Sequence, residues 1–193
     1  MGGGTGSAMR TSGIVTGCWI VLDEGLESTP REGLTLNLRG IVCDRHSGFM
    51  RTSGPREAPF YPKGTLIRND RQVSLVSTDE MAAIQAAMGL EGLDPAWLGA
   101  NLRIAGIPDF TKLPATSRLR FSGGAVLVVH HENHPCGAPG DVIARHAPEL
   151  HMPKKAFIEA ASGRRGLVGW VERAGEIRIG DTAEVYVLDE IIK

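Results

Sequence analysis

Leu34-Thr35-Leu36-Asn37-Leu38-Arg39 is the stretch that decides the fold class. Three leucines alternate with three polar residues, the two-residue period of a strand with one face buried. The pattern predicts a strand over residues 34–42. Working outward, similar runs recur along the chain. Residues 14–22 form a β-rich run that ends at Asp23-Glu24-Gly25, and residues 71–77 carry Val73, Leu75 and Val76. Residues 101–105, 118–122, 125–131, 167–173 and 182–188 read the same way, and several are bounded by Gly pairs or Gly-Asp, which are turn signals. Ser122-Gly123-Gly124 reads as a hairpin-like turn.

Helices are a minority. Ser77-Thr78-Asp79-Glu80 is a capping-box pattern ahead of residues 81–88, with Gly89 as the stop. Residues 153–161 begin on Pro, contain good helix formers and are followed by Gly163. Residues 141–146 fit a third, short helix. Regularly spaced strands with a few short helices predict a mainly β fold, barrel-like and closed or nearly closed, at the margin of α+β. A parallel α/β sheet would need longer helices between the strands.

The 193-residue length suits one domain, and 42% apolar residues suffice for a core. That domain is expected over 13–193, with 1–12 as a flexible tail. Gly-rich Met1 to Ala8 is either a cloning remnant ahead of a start at Met9 or a native tail. It lacks the basic and apolar regions of a secretory signal. A net charge of −1 gives no basic excess for general nucleic-acid binding, and no uncharged apolar run reaches membrane-span length. Three cysteines without CxxC spacing argue against a disulfide framework or a zinc ribbon, so a reducing, cytoplasmic setting is expected.

Cys136 is the residue best placed for chemistry. It lies in Asn133-His134-Pro135-Cys136-Gly137, after the apolar run Val126-Leu127-Val128-Val129. Pro fixes the approach, and Gly lets the backbone come close to a ligand. Backbone N–H groups at a helix start, with His134 if protonated, would favour the thiolate, the form that attacks sulfur or ligates a soft metal. Its polar neighbours favour a working thiol, whereas Cys18 and Cys43, in or at the end of apolar strands, read as buried and inert. His130, His131 and His134 fail the H-E-x-x-H pattern, because Pro135 stands where the second His belongs. A strand ending in a turn should scatter them as hydrogen-bonding side chains.

Residues 44–61 are dense in Arg, Gly, Ser and Pro, an irregular stretch of the kind that carries function. Asp44-Arg45-His46-Ser47-Gly48 opens it. Arg51, Arg56, Arg68, Arg71, Arg164 and Arg165 are numerous enough to line an anionic pocket, since guanidinium forks suit phosphate and other oxyanions. There is no phosphate-binding P-loop and no G-x-S-x-G elbow.

Taken in order, these segments resemble a MOSC domain, the module named from the C-terminal part of molybdenum cofactor sulfurases. The matching segments are Asp44-Arg45-His46-Ser47-Gly48, Ile67-Arg68-Asn69-Asp70-Arg71-Gln72-Val73-Ser74-Leu75 and Leu98-Gly99-Ala100-Asn101-Leu102. The Pro135-Cys136 loop, Gly163-Arg164-Arg165-Gly166-Leu167 and Gly175-Glu176-Ile177-Arg178-Ile179-Gly180-Asp181 complete the series. The resemblance implies a β-barrel-like domain whose Cys136 carries a persulfide or ligates molybdenum in a pterin (molybdopterin) cofactor. It also implies that Asp44, Arg45, His46, Arg71, Asn101 and Arg165 line the cofactor pocket. The chain has neither a pyridoxal-phosphate desulfurase region nor the cysteines for a four-Cys iron–sulfur cluster. A stand-alone domain of this kind would depend on a cysteine desulfurase or on a separate electron-donor protein. Three functions stay open: a molybdenum-cofactor protein ending a reductase of N-hydroxylated small molecules, a persulfide sulfur carrier for metal-sulfur or cofactor maturation, and a non-catalytic small-anion binding module.

Overall fold

Leu34 and Leu36 are buried, and Thr35 and Asn37 face outward, as their alternation requires. The predicted run 34–42 is nevertheless two strands, because the chain turns over at Leu38-Arg39 and pairs back on itself. The structure, a computed structural model, describes residues 11–187. The tail expected at residues 1–10 and the part of the last predicted strand at Leu188 therefore lie outside the described residues. The elements, in chain order, are β1 (Ser12–Ile20), β2 (Thr29–Arg31), β3 (Gly33–Asn37), β4 (Gly40–Ile41), β5 (Met50–Thr52), β6 (Leu66–Arg68) and β7 (Val73–Ser77). Next come α1 (Thr78–Met88), β8 (Leu102–Ala105), β9 (Arg118–Phe121), β10 (Val126–Glu132), α2 (Gly137–His146) and α3 (Pro153–Ala161). The series ends with β11 (Leu167–Arg173), β12 (Gly175–Arg178) and β13 (Thr182–Tyr186).

The large sheet runs β13-β9-β10-β11-β7-β8-β1, and a β13–β1 pairing closes it into a seven-stranded barrel, with β2 hung on the edge of β1. Closure removes the free edges that an open sheet would leave. All barrel pairs are antiparallel except β7–β8. That parallel pair needs a crossover, and α1 supplies it. The fold is therefore mainly β and barrel-like with three α-helices among the described residues, and no helix there is long and apolar enough to cross a membrane.

Two cores follow from the strand pattern. Val15, Leu75, Leu102, Leu119 and Leu127 fill the barrel, each at most 1% exposed. Val76, one residue on from Leu75, points to the other side and joins Ile84, Ile143 and Phe157 beneath the helices. Strand β7 is thus covered on both faces, which explains its adjacent apolar residues. Ser77 caps α1 by accepting from Glu80 N, and Gly89 ends it in the left-handed region at φ 66°. The box is not reciprocal, because the Glu80 carboxylate instead accepts from Thr111 N and Thr111 Oγ1, at 2.9 and 2.6 Å. Helix α2 starts four residues before the expected 141, directly after Cys136.

Candidate functional site

Strand β7, the end of β10 and the start of β11 meet the 45–56 segment around a cleft of about 530 Å³. Cys136 lies on its wall, exposed at the N-cap of α2 with no side-chain capping bond. Arg45, His46, Arg71, Asn101 and Arg165 line the same cleft, together with Arg51 and Arg56. Arg68 and Arg164 do not line it.

Asp44 is not among the lining residues. Its side chain is fully buried and holds the site loop in place. It accepts from Val21 N at 2.8 Å, from Asn101 Nδ2 at 2.9 Å and from His46 N at 2.8 Å, and His46 Nδ1 lies 3.0 Å away. Burial opposes its ionisation, but the hydrogen bonds from His46 and Val21 outweigh that and hold its carboxyl below the usual range. Asn101 is equally engaged with the backbone: its Oδ1 accepts from Ser74 N at 2.9 Å, and its Nδ2 also donates to Trp19 O at 3.2 Å. Arg45 donates to Asp23 O and Gly25 O, pinning the loop after β1.

Arg71 and Arg165 are a different case. Arg165 is 4% exposed, and its Nη2 donates to Leu98 O at 2.6 Å. Arg71 Nη2 donates to Asn133 Oδ1 at 2.8 Å. The Nη1 of each is buried without a hydrogen-bond partner. Burial pushes the Arg165 guanidinium down to about 10; the Cys136 sulfur partly offsets this, and Arg56 and Arg71 add to it. Burial, then Arg56 and Arg51, push Arg71 to about 10 as well. Buried polar groups normally find partners, so two unsatisfied cationic donors at one cleft point to an anionic ligand.

Three polar residues not assigned to the site by sequence organise it. Asn133 Oδ1 also receives Arg56 Nη1 at 3.4 Å, while its Nδ2 donates to Ser74 Oγ at 3.3 Å. Asn69 Nδ2 ties His46 O and Gly48 O together, and Gln72 joins Leu38 O, Gly48 O and Val171 N. The only advance signal was their place beside Arg71 and Cys136, since a single Asn or Gln carries no pattern of its own.

Two expectations are corrected. Cys43 is exposed, not buried, and sits at φ 67°, a turn position that turns its side chain away from the core. The three histidines do not scatter: His130 and His131 ring centroids are 4.5 Å apart, and His131 and His134 are 5.8 Å apart. The register of β10 against β11 slips between Val129 and His131, and this bulge re-aims the side chains. His130 Nε2 pairs with Asp70 at 2.9 Å. Burial holds His131 below the usual imidazole range, against the opposing hydrogen bond to Glu132 O. Among the described residues, no group of three or more His, Cys, Asp and Glu is placed to hold a metal.

The chain that builds this cleft matches the family model of the MOSC domain over residues 62–184, and it belongs to that family. Its similarity to one bacterial relative spans nearly the whole chain. That relative, "Putative metal-sulfur cluster biosynthesis proteins YuaD" of Bacillus subtilis (strain 168), is 37% identical over 184 residues, covering 95% of each chain. The crystal structure of the Bacillus subtilis YUAD protein superposes with a TM-score of 0.88 at 38% identity, covering 91% of this chain and 96% of that one. YiiM from Escherichia coli shares the fold at a TM-score of 0.57 and 15% identity, covering 93% of this chain and 70% of its own.

Proposed function

We propose that the protein holds a molybdenum cofactor in this cleft, with Cys136 as the protein ligand to the metal. The observation that carries the reading is the pair of buried, unpartnered Nη1 donors on Arg71 and Arg165 beside an exposed thiol. A phosphate-bearing pterin fits the two guanidinium groups, and a soft metal fits the sulfur. Arg56 and Arg45 add positive charge at the rim, and Asn133 orients Arg71 from three residues before Cys136. Bound there, the group supplies two-electron redox chemistry, suited to reducing an N-hydroxylated small molecule. The chain's part is to bind and orient. Electrons would come from a donor outside this domain, since Cys18 is buried in the barrel core and the exposed Cys43 and Cys136 cannot build a four-Cys iron–sulfur cluster.

Metal analysis tests this reading. Protein from a molybdenum-replete, cofactor-competent host should carry near-stoichiometric molybdenum, and Cys136→Ser should lose it. Absence of molybdenum from the wild type, or equal loading of the variant, would overturn the assignment. The exposed Cys136 thiol and the relative's name favour a second reading, a persulfide carrier loaded by a cysteine desulfurase. Intact mass after incubation with desulfurase and cysteine should then show one added sulfur, absent in Cys136→Ser.

A further inference from the structure

The β5–β6 hairpin has an outer face that extends beyond the cleft. Met50 stands opposite Arg68, and Thr52 stands opposite Leu66. Directly opposed residues of an antiparallel pair project to the same side. Met50 and Thr52 line the cleft, and Arg68 and Leu66, which do not line it, continue the same face of the hairpin beyond it. Leu66 is 63% exposed. At the far end of the hairpin Phe60 is 77% exposed, its ring 6.4 Å from that of Tyr61. Scattered apolar residues on a surface are ordinary, but Phe49, Met50, Phe60, Tyr61 and Leu66 are all exposed within one short segment beside the cleft, which marks an interface.

The charge on this face identifies what it takes. Residues 45–71 contain six Arg and Lys against two acids; Arg45, Arg51, Arg56 and Arg71 line the cleft, and Lys63 and Arg68 lie outside it. Both acids, Glu57 and Asp70, are bound by Arg51, each at 2.9 Å. Among the described residues Lys63 and Arg68 have no acid partner. The same face on a second copy would set like charge against like. We propose that the outer face of the hairpin docks an acidic protein whose contact surface mixes carboxylates with apolar side chains, and that docking presents the partner's reactive group to Cys136. This rests on the reading of Cys136 as the working residue.

The test uses peptide disulfides on the full chain. A Glu/Leu-rich peptide carries one Cys as its 2-thiopyridyl disulfide. The Cys136 thiolate attacks the peptide sulfur, the S–S bond breaks, and pyridine-2-thione leaves with the electron pair. Mass mapping separates this adduct from one on Cys43. The acidic peptide should react about tenfold faster than a Lys/Leu counterpart at low salt, and the advantage should shrink as salt rises. Lys63→Glu/Arg68→Glu should abolish that advantage, and Phe60→Ser/Leu66→Ser should reduce it severalfold. Both variants should react with 2,2′-dithiodipyridine at the wild-type rate, which shows the thiol itself unaltered; the cleft cations, kept in both variants, then cannot account for a lost advantage. Equal peptide rates, or an advantage kept in both variants, would overturn the proposal. So would tighter binding of oligodeoxythymidylate or phosphatidylserine vesicles than of the acidic peptide, or wild-type self-association lost in the variants. If Cys136 fails to react even with 2,2′-dithiodipyridine, the working-thiol reading fails. Equilibrium binding of the acidic peptide by fluorescence anisotropy then still decides the docking face.

Discussion

Arg165 is a buried cation without an acid partner, and such a group opposes folding unless something neutralises it. An effective penalty of several kcal/mol for burying an ion is typical, whereas losing the bond to Leu98 O would cost about 1–3 kcal/mol. Arg165→Met, which keeps most of the volume, should therefore melt no lower than wild type in dilute buffer. The wild type should gain stability with added pyrophosphate by mass action, about 2.7 kcal/mol at a hundred times its dissociation constant. The variant should gain almost none. Differential scanning calorimetry with and without pyrophosphate checks both statements. A variant that melts far below wild type and still responds to pyrophosphate would show Arg165 to be a structural residue. The sequence placed Arg165 and Cys136 together through the ordered resemblance. It could not show which nitrogen atoms would be left unpaired, since that depends on Leu98 and Asn133 arriving from distant segments.

At the scale of elements, Gly166 brings the start of β11 against β7. Its φ is 89°, and a Cβ there would stand 2.0 Å from Leu75 O. Its N–H donates to Thr111 Oγ1, which in turn donates to Glu80, so the turn carrying Arg165 is fixed from both sides. Gly166→Ala should destabilise by about 3 kcal/mol through positive-φ strain and overlap with Leu75 O. It should also weaken pyrophosphate binding, whereas Gly163→Ala, with φ 71° and open space around it, should cost only the backbone strain. Urea titrations of the two variants separate those effects. Elements with strong apolar periodicity, such as β11 and α3, were legible within a residue or two. The β5–β6 hairpin was not, because polar groups hold it: Arg51 bridges Glu57 and Asp70, and Ser53 accepts from Thr65 N. The first turn of α2 was hidden by Gly137-Ala138-Pro139-Gly140. Pro is tolerated there, since its missing N–H belongs to the unpaired first turn. Gly140 is required, because a Cβ would stand 2.5 Å from Lys154 Cα in α3.

Across the whole molecule, Asp44 joins parts of the chain far apart in sequence. It receives the backbone of Val21 just beyond β1, the side chain of Asn101 at the foot of β8, and His46 in the site loop. The alternation of Leu34 and Leu36 announced a half-buried strand, but no local pattern announces a buried carboxylate joining three segments. Because its folded-state pKa is depressed, Asp44 contributes stability that is present above the unfolded value, near pH 4. That contribution is lost as pH falls through the folded value, so acid should loosen the barrel end that carries the cleft. In Asp44→Asn the new amide N–H groups would face the donors of Val21 and Asn101. The variant should lose about 2 kcal/mol at neutral pH, roughly 4–8 °C in melting temperature. Its stability should also fall less steeply than the wild type's below pH 4, because the group that titrates has been removed. Urea midpoints measured from pH 7 down to pH 3 read both effects. Parallel acid limbs in the two proteins would show that other carboxylates, Glu57 with its pKa near 2 among them, govern the acid response.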